Sequence, residues 1–147
     1  MPPDLPSAEL TQVEHYEFSV AFPGASYAAL RVDEAPPTGG DAGPNPVRTL
    51  AVSVGHCMSS TFVNTCERAH VPIAPIRTTV RATVGRNEKG RMRVTGLEVE
   101  IFTAPLDPAD RSRFEHCVEV FPDFCTVSGA VRAGIPIAHR VAPGDAR

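Results

Sequence analysis

The sequence lacks the features that mark membrane, secreted and polyanion-binding proteins. No apolar stretch in its 147 residues approaches the ~20 residues that cross a bilayer. The first residues, "MPPDLPSAELTQ", contain no basic region followed by an apolar run, as a secretory signal would. The net charge of −3 gives no overall basic footprint for nucleic acid. We therefore expect a soluble cytoplasmic protein that binds neither membranes nor nucleic acid.

Metal-ligand spacings are missing as well. The chain has 4 Cys and 5 His, but no C-x-x-C and no H-x-x-x-H. Two His–Cys pairs occur, His56–Cys57 and His116–Cys117. Adjacent helical residues point about 100° apart, so either pair would need distortion to chelate one ion. We expect neither a metal site nor a cofactor.

The apolar patterns predict an α+β protein with mostly antiparallel strands. "EHYEFSVAF" and "YAALRVD" predict two strands, and a hairpin is expected around "NEKG". Two helices follow, and "IPIAHRV" predicts a last strand. The element order is ββ–α–ββ–α–α–β. We assign residues 1–12 to a flexible N-terminal tail and residues 13–147 to a single domain.

A long helix over residues 46–69 is the central element of this prediction. Asn45 is a good N-cap, and Pro46 suits the first helical position. Apolar residues occur nearly all around the helix: Val47, Leu50, Val52, Val54, Met58 and Phe62. A helix that is apolar on all sides is usually buried. In a chain this short, a sheet and a second subunit would cover it, so we expect a homodimer.

The four cysteines are expected to be thiols rather than structural disulfides in a reducing compartment. Cys57 and Cys66 are nine residues apart in the predicted helix. That spacing corresponds to a rise of about 13.5 Å and half a turn of offset, so they lie on opposite faces. Cys57 therefore acts alone or with Cys117 or Cys125. Cys125 is the better candidate because it stands at a helix start, where free N–H groups favour a thiolate.

Cys66 and Cys117 are better explained by packing. Each occupies a helical position among apolar residues, and a buried free cysteine behaves as a small hydrophobic side chain. We expect both to be structural.

Two segments carry a family resemblance. "GGDAGPNPVRTLAVSVGHCMSSTF" and "DFCTVSGAVRAGIPI" resemble the OsmC/Ohr family, which comprises osmotically inducible protein C and the organic hydroperoxide resistance proteins. The shared features are the Gly-rich loop, the N-P helix start, a Cys eleven residues after that Pro, and a C-x-V-S helix start. The resemblance implies an OsmC-like domain, an intertwined homodimer with antiparallel sheets around the long central helix.

The resemblance also implies an activity, a thiol peroxidase acting on organic hydroperoxides in an antioxidant stress response. Cys57 would attack the peroxide and become a sulfenic acid, and Cys125 would condense with it to a disulfide. A dithiol reductant of the lipoyl type would restore the pair. Cys57 and Cys125 are thus the implied catalytic residues.

The chain departs from the family pattern at three places. Val47 stands where peroxidatic members carry a Glu, and no Arg precedes Arg31, although those members have one in the first hairpin. Arg31 and Arg48 are the candidate replacements for that Arg. Thr126 stands where many relatives have Pro. The alternative function is an OsmC-like protein that binds a small apolar ligand without turnover.

A basic face on the predicted hairpin is a candidate binding site for an anionic ligand or nucleic acid. It carries Arg77, Arg81, Arg91 and Arg93. No aromatic residues interleave with these arginines, so the face offers no stacking platform for bases and is better explained as solvated surface.

Overall fold

The computed structural model describes residues 6–143 and has the α+β architecture expected from the sequence. Its strands and helices are, in order, β1 (Glu9–Glu14), β2 (Glu17–Ala21), β3 (Leu30–Val32), α1 (Pro46–Arg68), β4 (Arg77–Arg86), β5 (Met92–Phe102), α2 (Arg111–Val120) and α3 (Thr126–Ala133). Short 3-10 helices, Pro108–Asp110 and Phe121–Phe124, flank α2. Within residues 6–143, none of the helices is both long and apolar enough to cross a membrane.

Internal contacts divide the described chain into two compact units. The first unit holds the described residues up to Gly55 together with Thr78–Glu100. It contains the antiparallel sheet β1-β2-β3 and most of the two-stranded sheet β4-β5. The second unit holds His56–Arg77 and the described residues from Ile101 onward, and it contains α2 and α3.

Strand β1 begins earlier than the sequence analysis expected. Glu9 already pairs with Ala21 of β2, so the assignment of residues 1–12 to a flexible tail is wrong from Glu9 onward; residues 1–5 lie outside the described range. All six residues of β1 are exposed. Because the strand forms by backbone pairing and not by burying alternate side chains, it has no apolar pattern for the sequence analysis to detect.

The loop after β3 is organised by the carboxylate of Asp33. This side chain is only 5% exposed and accepts hydrogen bonds from the backbone N–H groups of Glu34 at 2.8 Å, Gly40 at 2.9 Å and Ala42 at 3.1 Å. The bond from Ala42, above all, lowers the pKa of Asp33, against the opposing effect of burial. A lowered folded-state pKa contributes stability above the unfolded value of about 3.9. That contribution is lost as the pH falls through the folded-state pKa.

Helix α1 begins as the sequence predicts and approaches β4 closely. The Oδ1 atom of Asn45 accepts the N–H of Arg48 at 2.9 Å, which confirms the predicted cap. A Cβ atom added to Gly55 would lie 2.5 Å from Cγ2 of Val80, so a glycine lets the helix pack against β4 at this point. Gly55 is also the last residue of the first unit on this helix.

The core of the second unit is built around Phe62 of α1. Its ring lies 5.0 Å from that of Phe121 and 5.8 Å from that of Phe114, measured between centroids. The buried cluster consists of Phe62, Cys66, Val71, Ile73, Cys117 and Phe121. Arg113 of α2 also donates to the carbonyl of Ala69 at 3.1 Å, just beyond the end of α1. Ring packing and this hydrogen bond hold α2 against the second half of α1.

The predicted last strand does not form in the single chain: residues 135–143 have no secondary structure, and Ile137 is 88% exposed. A strand requires a neighbour for its backbone groups, and no described segment of this chain pairs with it.

Helix α1 is covered on one side only in the single chain. Val54 is buried, but Val52 is 65% exposed. The sequence analysis expected a second subunit to cover such a side, and that expectation stays a prediction.

The loop after β3 gives a test of local packing. A Cβ atom at Gly43 would lie 2.1 Å from the carbonyl oxygen of Arg31. Gly43→Ala should therefore lower the free energy of unfolding by about 1–3 kcal/mol in denaturant titration. Gly96→Ala is the matched control, since an added Cβ meets nothing within 4 Å there, and it should be close to neutral. Equal effects of the two substitutions would contradict the close approach at Gly43.

Candidate active site

The structure brings Cys57 and Cys125 into direct contact. Cys57 lies on α1 and is half-buried; Cys125 precedes α3 and is 3% exposed. Their sulfur atoms are 2.8 Å apart and share a hydrogen bond, and both are free thiols. The sequence favoured Cys125 over Cys117 as the partner of Cys57, and the structure places Cys125 against it.

Helix α3 presents a free backbone donor to this pair. The N–H of Val127, in the first turn of α3, donates to Sγ of Cys57 at 3.3 Å. The first N–H groups of a helix have no partner within the helix, and they carry its positive dipole end. The sulfur of Cys57 is therefore the acceptor for one of these otherwise unpartnered N–H groups.

The environment of Cys125 favours its ionised form. Burial is the largest influence and by itself would raise the pKa of Cys125. The neighbouring donor groups, which are the Cys57 thiol, the side chain and N–H of Ser128 and the Thr61 side chain, together outweigh it. The pKa of Cys125 consequently lies below the usual value of a cysteine. All of these donors are uncharged.

Packing against helix α1 fixes the position of Cys125. Phe121 is 8% exposed and packs against Phe62 of α1. The 3-10 turn that starts at Phe121 leads directly to Cys125, whose N–H donates to the carbonyl of Pro122 at 3.4 Å. Cys57 and Phe62 are on one helix, so the aromatic contact sets the distance between the two sulfurs.

Phe62 follows Cys57 by five residues on α1, but at 3% exposure it belongs to the core.

Ser128 is the residue of this site that the sequence analysis did not single out. Its side chain is 5% exposed, and its Oγ makes no hydrogen bond of ordinary geometry with the described residues. It nevertheless lies close enough to Cys125 to lower the pKa of that thiol. The C-x-V-S motif contained this serine, but spacing alone did not indicate that its hydroxyl would be buried beside the sulfur.

Cys66 and Cys117 meet elsewhere in the second unit. They are 0% and 1% exposed, and Sγ of Cys117 donates to the carbonyl of Thr65 at 3.8 Å. Burial, reinforced by the neighbouring Cys117, raises the pKa of Cys66 to about 12. A thiol with so high a pKa has almost no thiolate at neutral pH and is a poor nucleophile.

The two arginines considered as replacements both have acidic partners in the first unit. Arg31 forms an ion pair with Glu17, and Arg48 forms one with Asp41 at 3.6 Å. Val47, at the position of the family's Glu, is half-buried. Among residues 6–143, no group of three or more His, Cys, Asp or Glu side chains is arranged to hold a metal ion.

Comparisons with known proteins agree on one family. A family model described as OsmC-like protein matches residues 39–140. A solved OsmC-like protein of unknown function from Vibrio cholerae is 14% identical, with a TM-score of 0.72 over 86% of this chain and 93% of the other. An organic hydroperoxide resistance protein from Legionella pneumophila is 16% identical, with a TM-score of 0.66 over 90% and 92%. The organic hydroperoxide resistance protein OhrB of Bacillus subtilis is 18% identical, with a TM-score of 0.63 over 87% and 92%. No protein in a search of curated proteins matches the sequence significantly.

The burial of the second cysteine pair leads to a stability prediction. Cys66→Ser should lower the free energy of unfolding by about 1–3 kcal/mol, because it buries a hydroxyl in an apolar core. Cys117→Ser should lower it by less, since the new hydroxyl can donate to the carbonyl of Thr65. Denaturant titration measures both changes. Neither variant should alter the reactivity of Cys57; loss of that reactivity in a folded variant would contradict a structural role.

Proposed function

The chain belongs to the OsmC-like protein family, and from that membership and the contact between Cys57 and Cys125 we propose that it is a thiol peroxidase for organic hydroperoxides. The observation that carries the proposal is the 2.8 Å distance between the two sulfur atoms. Solved structures of similar fold are named organic hydroperoxide resistance proteins, which supports the choice of substrate class.

The first step uses Cys57 as the nucleophile. Its sulfur is the more exposed of the two and receives the N–H of Val127. The thiolate attacks one peroxide oxygen, a sulfur–oxygen bond forms, and the O–O bond breaks. The alkoxide leaves and takes a proton to become an alcohol, while Cys57 becomes a sulfenic acid.

The second step uses Cys125 to resolve the sulfenic acid. Its lowered pKa makes thiolate available, and its sulfur already touches that of Cys57. The thiolate forms the S–S bond, and the sulfenic S–O bond breaks to release hydroxide, which is protonated to water. A dithiol reductant, which the family suggests is of the lipoyl type, then returns both cysteines to thiols by exchange.

Neutral donors take the place of the charged pair that the family pattern would supply. The position of the family's Glu is Val47, and the two candidate arginines already pair with carboxylates. The first turn of α3 supplies the N–H of Val127 and the N–H and hydroxyl of Ser128. Because a cation stabilises a thiolate more than a neutral donor does, we expect a slower reaction than in relatives that have the Arg.

A homodimer is part of the proposal. Val52, in the first half of α1, is 65% exposed, and three apolar residues after α3 are 57–92% exposed: Ile135, Ile137 and Val141. Apolar exposure on this scale is typical of a surface that another chain covers. A second copy would cover α1, as the family resemblance implies.

Binding of a small apolar ligand without turnover is the second candidate, and one observation favours it. The first unit contains a cavity of about 590 Å³ between its three-stranded sheet and the start of α1. Its walls are mainly apolar and include Leu10, Phe18, Val20, Phe22, Leu30 and Leu50. That volume lies in the range of small-molecule sites. A protein of this kind would bind an apolar compound but would not consume hydroperoxide.

The peroxidase proposal predicts different outcomes for the two cysteines. Reduced wild type with an organic hydroperoxide should lose two thiols per chain and gain one intramolecular disulfide. Cys57→Ser should abolish peroxide consumption, and Cys125→Ser should allow one turnover and leave a sulfenic acid that dimedone traps. The wild-type rate should rise with pH, because only the thiolate is nucleophilic. If excess hydroperoxide at pH 8 produces no disulfide, the chain is not a peroxidase of this type.

The assignment of the disulfide requires a suitable digest. Trypsin leaves Cys57 and Cys66 together on residues 49–68, and Cys117 and Cys125 together on residues 114–132. A cross-linked tryptic pair therefore cannot distinguish Cys57–Cys125 from Cys66–Cys117. Further cleavage after Phe62 and Glu119 separates the two possibilities, and the proposal predicts only the Cys57–Cys125 product.

The dimer proposal is tested on α1. Val52→Glu places a charge where the second copy would pack, and it should shift the protein toward monomer in sedimentation and lower its melting temperature. Val118→Glu, at a 44% exposed position on α2, is the control and should change neither. Wild type should melt at a temperature that rises with concentration. A monomeric wild type with a concentration-independent melt would contradict the dimer.

A further inference from the structure

A buried hydroxyl without an ordinary partner lies beside the two sulfurs. Ser128 is three residues after Cys125, on the first turn of α3, and its side chain is 5% exposed. Its Oγ makes no hydrogen bond of ordinary geometry with the described residues. Leaving a buried hydroxyl unsatisfied usually costs about 1–3 kcal/mol, so its presence here requires an explanation.

The hydroxyl lies on the helical turn that begins at Cys125. In a capping box the residue before a helix and the third residue within it are close enough for the side chain of each to reach the backbone N–H of the other. Cys125 and Ser128 occupy these two positions, and Cys125 makes no capping hydrogen bond through its side chain. Its sulfur is directed at Cys57 instead. A thiolate at Cys125 would give this hydroxyl the charged acceptor that it lacks in the resting protein.

We propose that Ser128 is a positioning residue that holds the Cys125 thiolate directed at Cys57 during disulfide formation, an inference that rests on the proposed function. In that step the electron pair of the Cys125 thiolate forms the S–S bond, and the S–O bond of the Cys57 sulfenic acid breaks. The departing hydroxide is protonated to water. Ser128 keeps its proton throughout and is neither oxidised nor reduced.

The groups around Cys125 support this role. Cys57 and Thr61 act on it from α1, and Ser128 acts on it from α3 through both its hydroxyl and its N–H. Cys57 is the titratable member of this set. After burial and the Cys57 hydrogen bond, the Ser128 side chain is the next influence on the pKa of Cys125, and it lowers that pKa.

The decisive experiment titrates Cys125 without any peroxide. Reduced protein labelled with ¹³Cβ-cysteine is followed by NMR from pH 5 to pH 11, a range chosen around the usual thiol pKa of about 8.5. Ser128→Ala should move the Cys125 midpoint to higher pH and reduce its ionised fraction at pH 7 by about tenfold, the typical effect of losing one hydrogen bond to a charged group. Thr126→Ala removes an exposed hydroxyl from the same turn and should leave the midpoint unchanged.

The melting temperature distinguishes a positioning role of Ser128 from a packing role. Removing an unsatisfied hydroxyl should leave the melting temperature of Ser128→Ala equal to wild type or higher. An unchanged Cys125 midpoint in this variant, or an equal shift in Thr126→Ala, would overturn the proposal.

A second measurement distinguishes this inference from the proposed function. With organic hydroperoxide at pH 7, the dimedone-reactive sulfenic acid at Cys57 should persist about tenfold longer in Ser128→Ala than in wild type, and raising the pH to 9 should shorten it. If neither protein forms a sulfenic acid, the peroxidase proposal fails, and the NMR titration still decides whether Ser128 stabilises the Cys125 thiolate. If the sulfenic acid forms but has the same lifetime in both proteins, the peroxidase proposal stands and the role of Ser128 is refuted.

Discussion

The contact between the sulfurs of Cys57 and Cys125 depends on one rigid element, the second half of α1. That helix carries Cys57 and, five residues later, Phe62, whose ring packs against Phe121 at 5.0 Å. The chain then needs only a short 3-10 turn to bring Cys125 to the sulfur of Cys57, at 2.8 Å. A displacement of α2 along α1 would therefore separate the two thiols, so the aromatic core of the second unit also supports the site.

The chemistry of the site follows from what surrounds that contact. The groups that favour a thiolate at Cys125 are a thiol, two hydroxyls and a backbone N–H, and the N–H of Val127 donates to the sulfur of Cys57. Neutral donors stabilise an anion less than a cation does, but they place no second charge that would have to be desolvated. The other two cysteines, Cys66 and Cys117, have a contrasting environment. Both are fully buried and meet each other in the core, where burial and a neighbouring thiol raise the pKa of Cys66 to about 12.

Local signals predicted the fold better than they predicted the site. The Asn45 cap gave the start of α1, and helix geometry excluded a Cys57–Cys66 disulfide. Strand β1 was missed because it buries no alternating side chains, and the last strand was predicted wrongly because "IPIAHRV" has no neighbouring strand within the described chain. The residues alone favoured Cys125 over Cys117 as the partner of Cys57, but they could not show that the two sulfurs touch, since that contact depends on how α2 packs on α1. It could not identify Ser128 because the burial of a hydroxyl is a property of tertiary structure.

The most direct test of the account is a redox titration of the resting protein in thiol–disulfide buffers. Free thiols are trapped by alkylation and then located by a digest that cleaves after Phe62 and Glu119. The account predicts a single two-electron transition in which Cys57 and Cys125 become joined within one chain while Cys66 and Cys117 remain thiols. Oxidation of Cys66 and Cys117 first, or a chain that keeps all four thiols when the buffer is strongly oxidising, would contradict it.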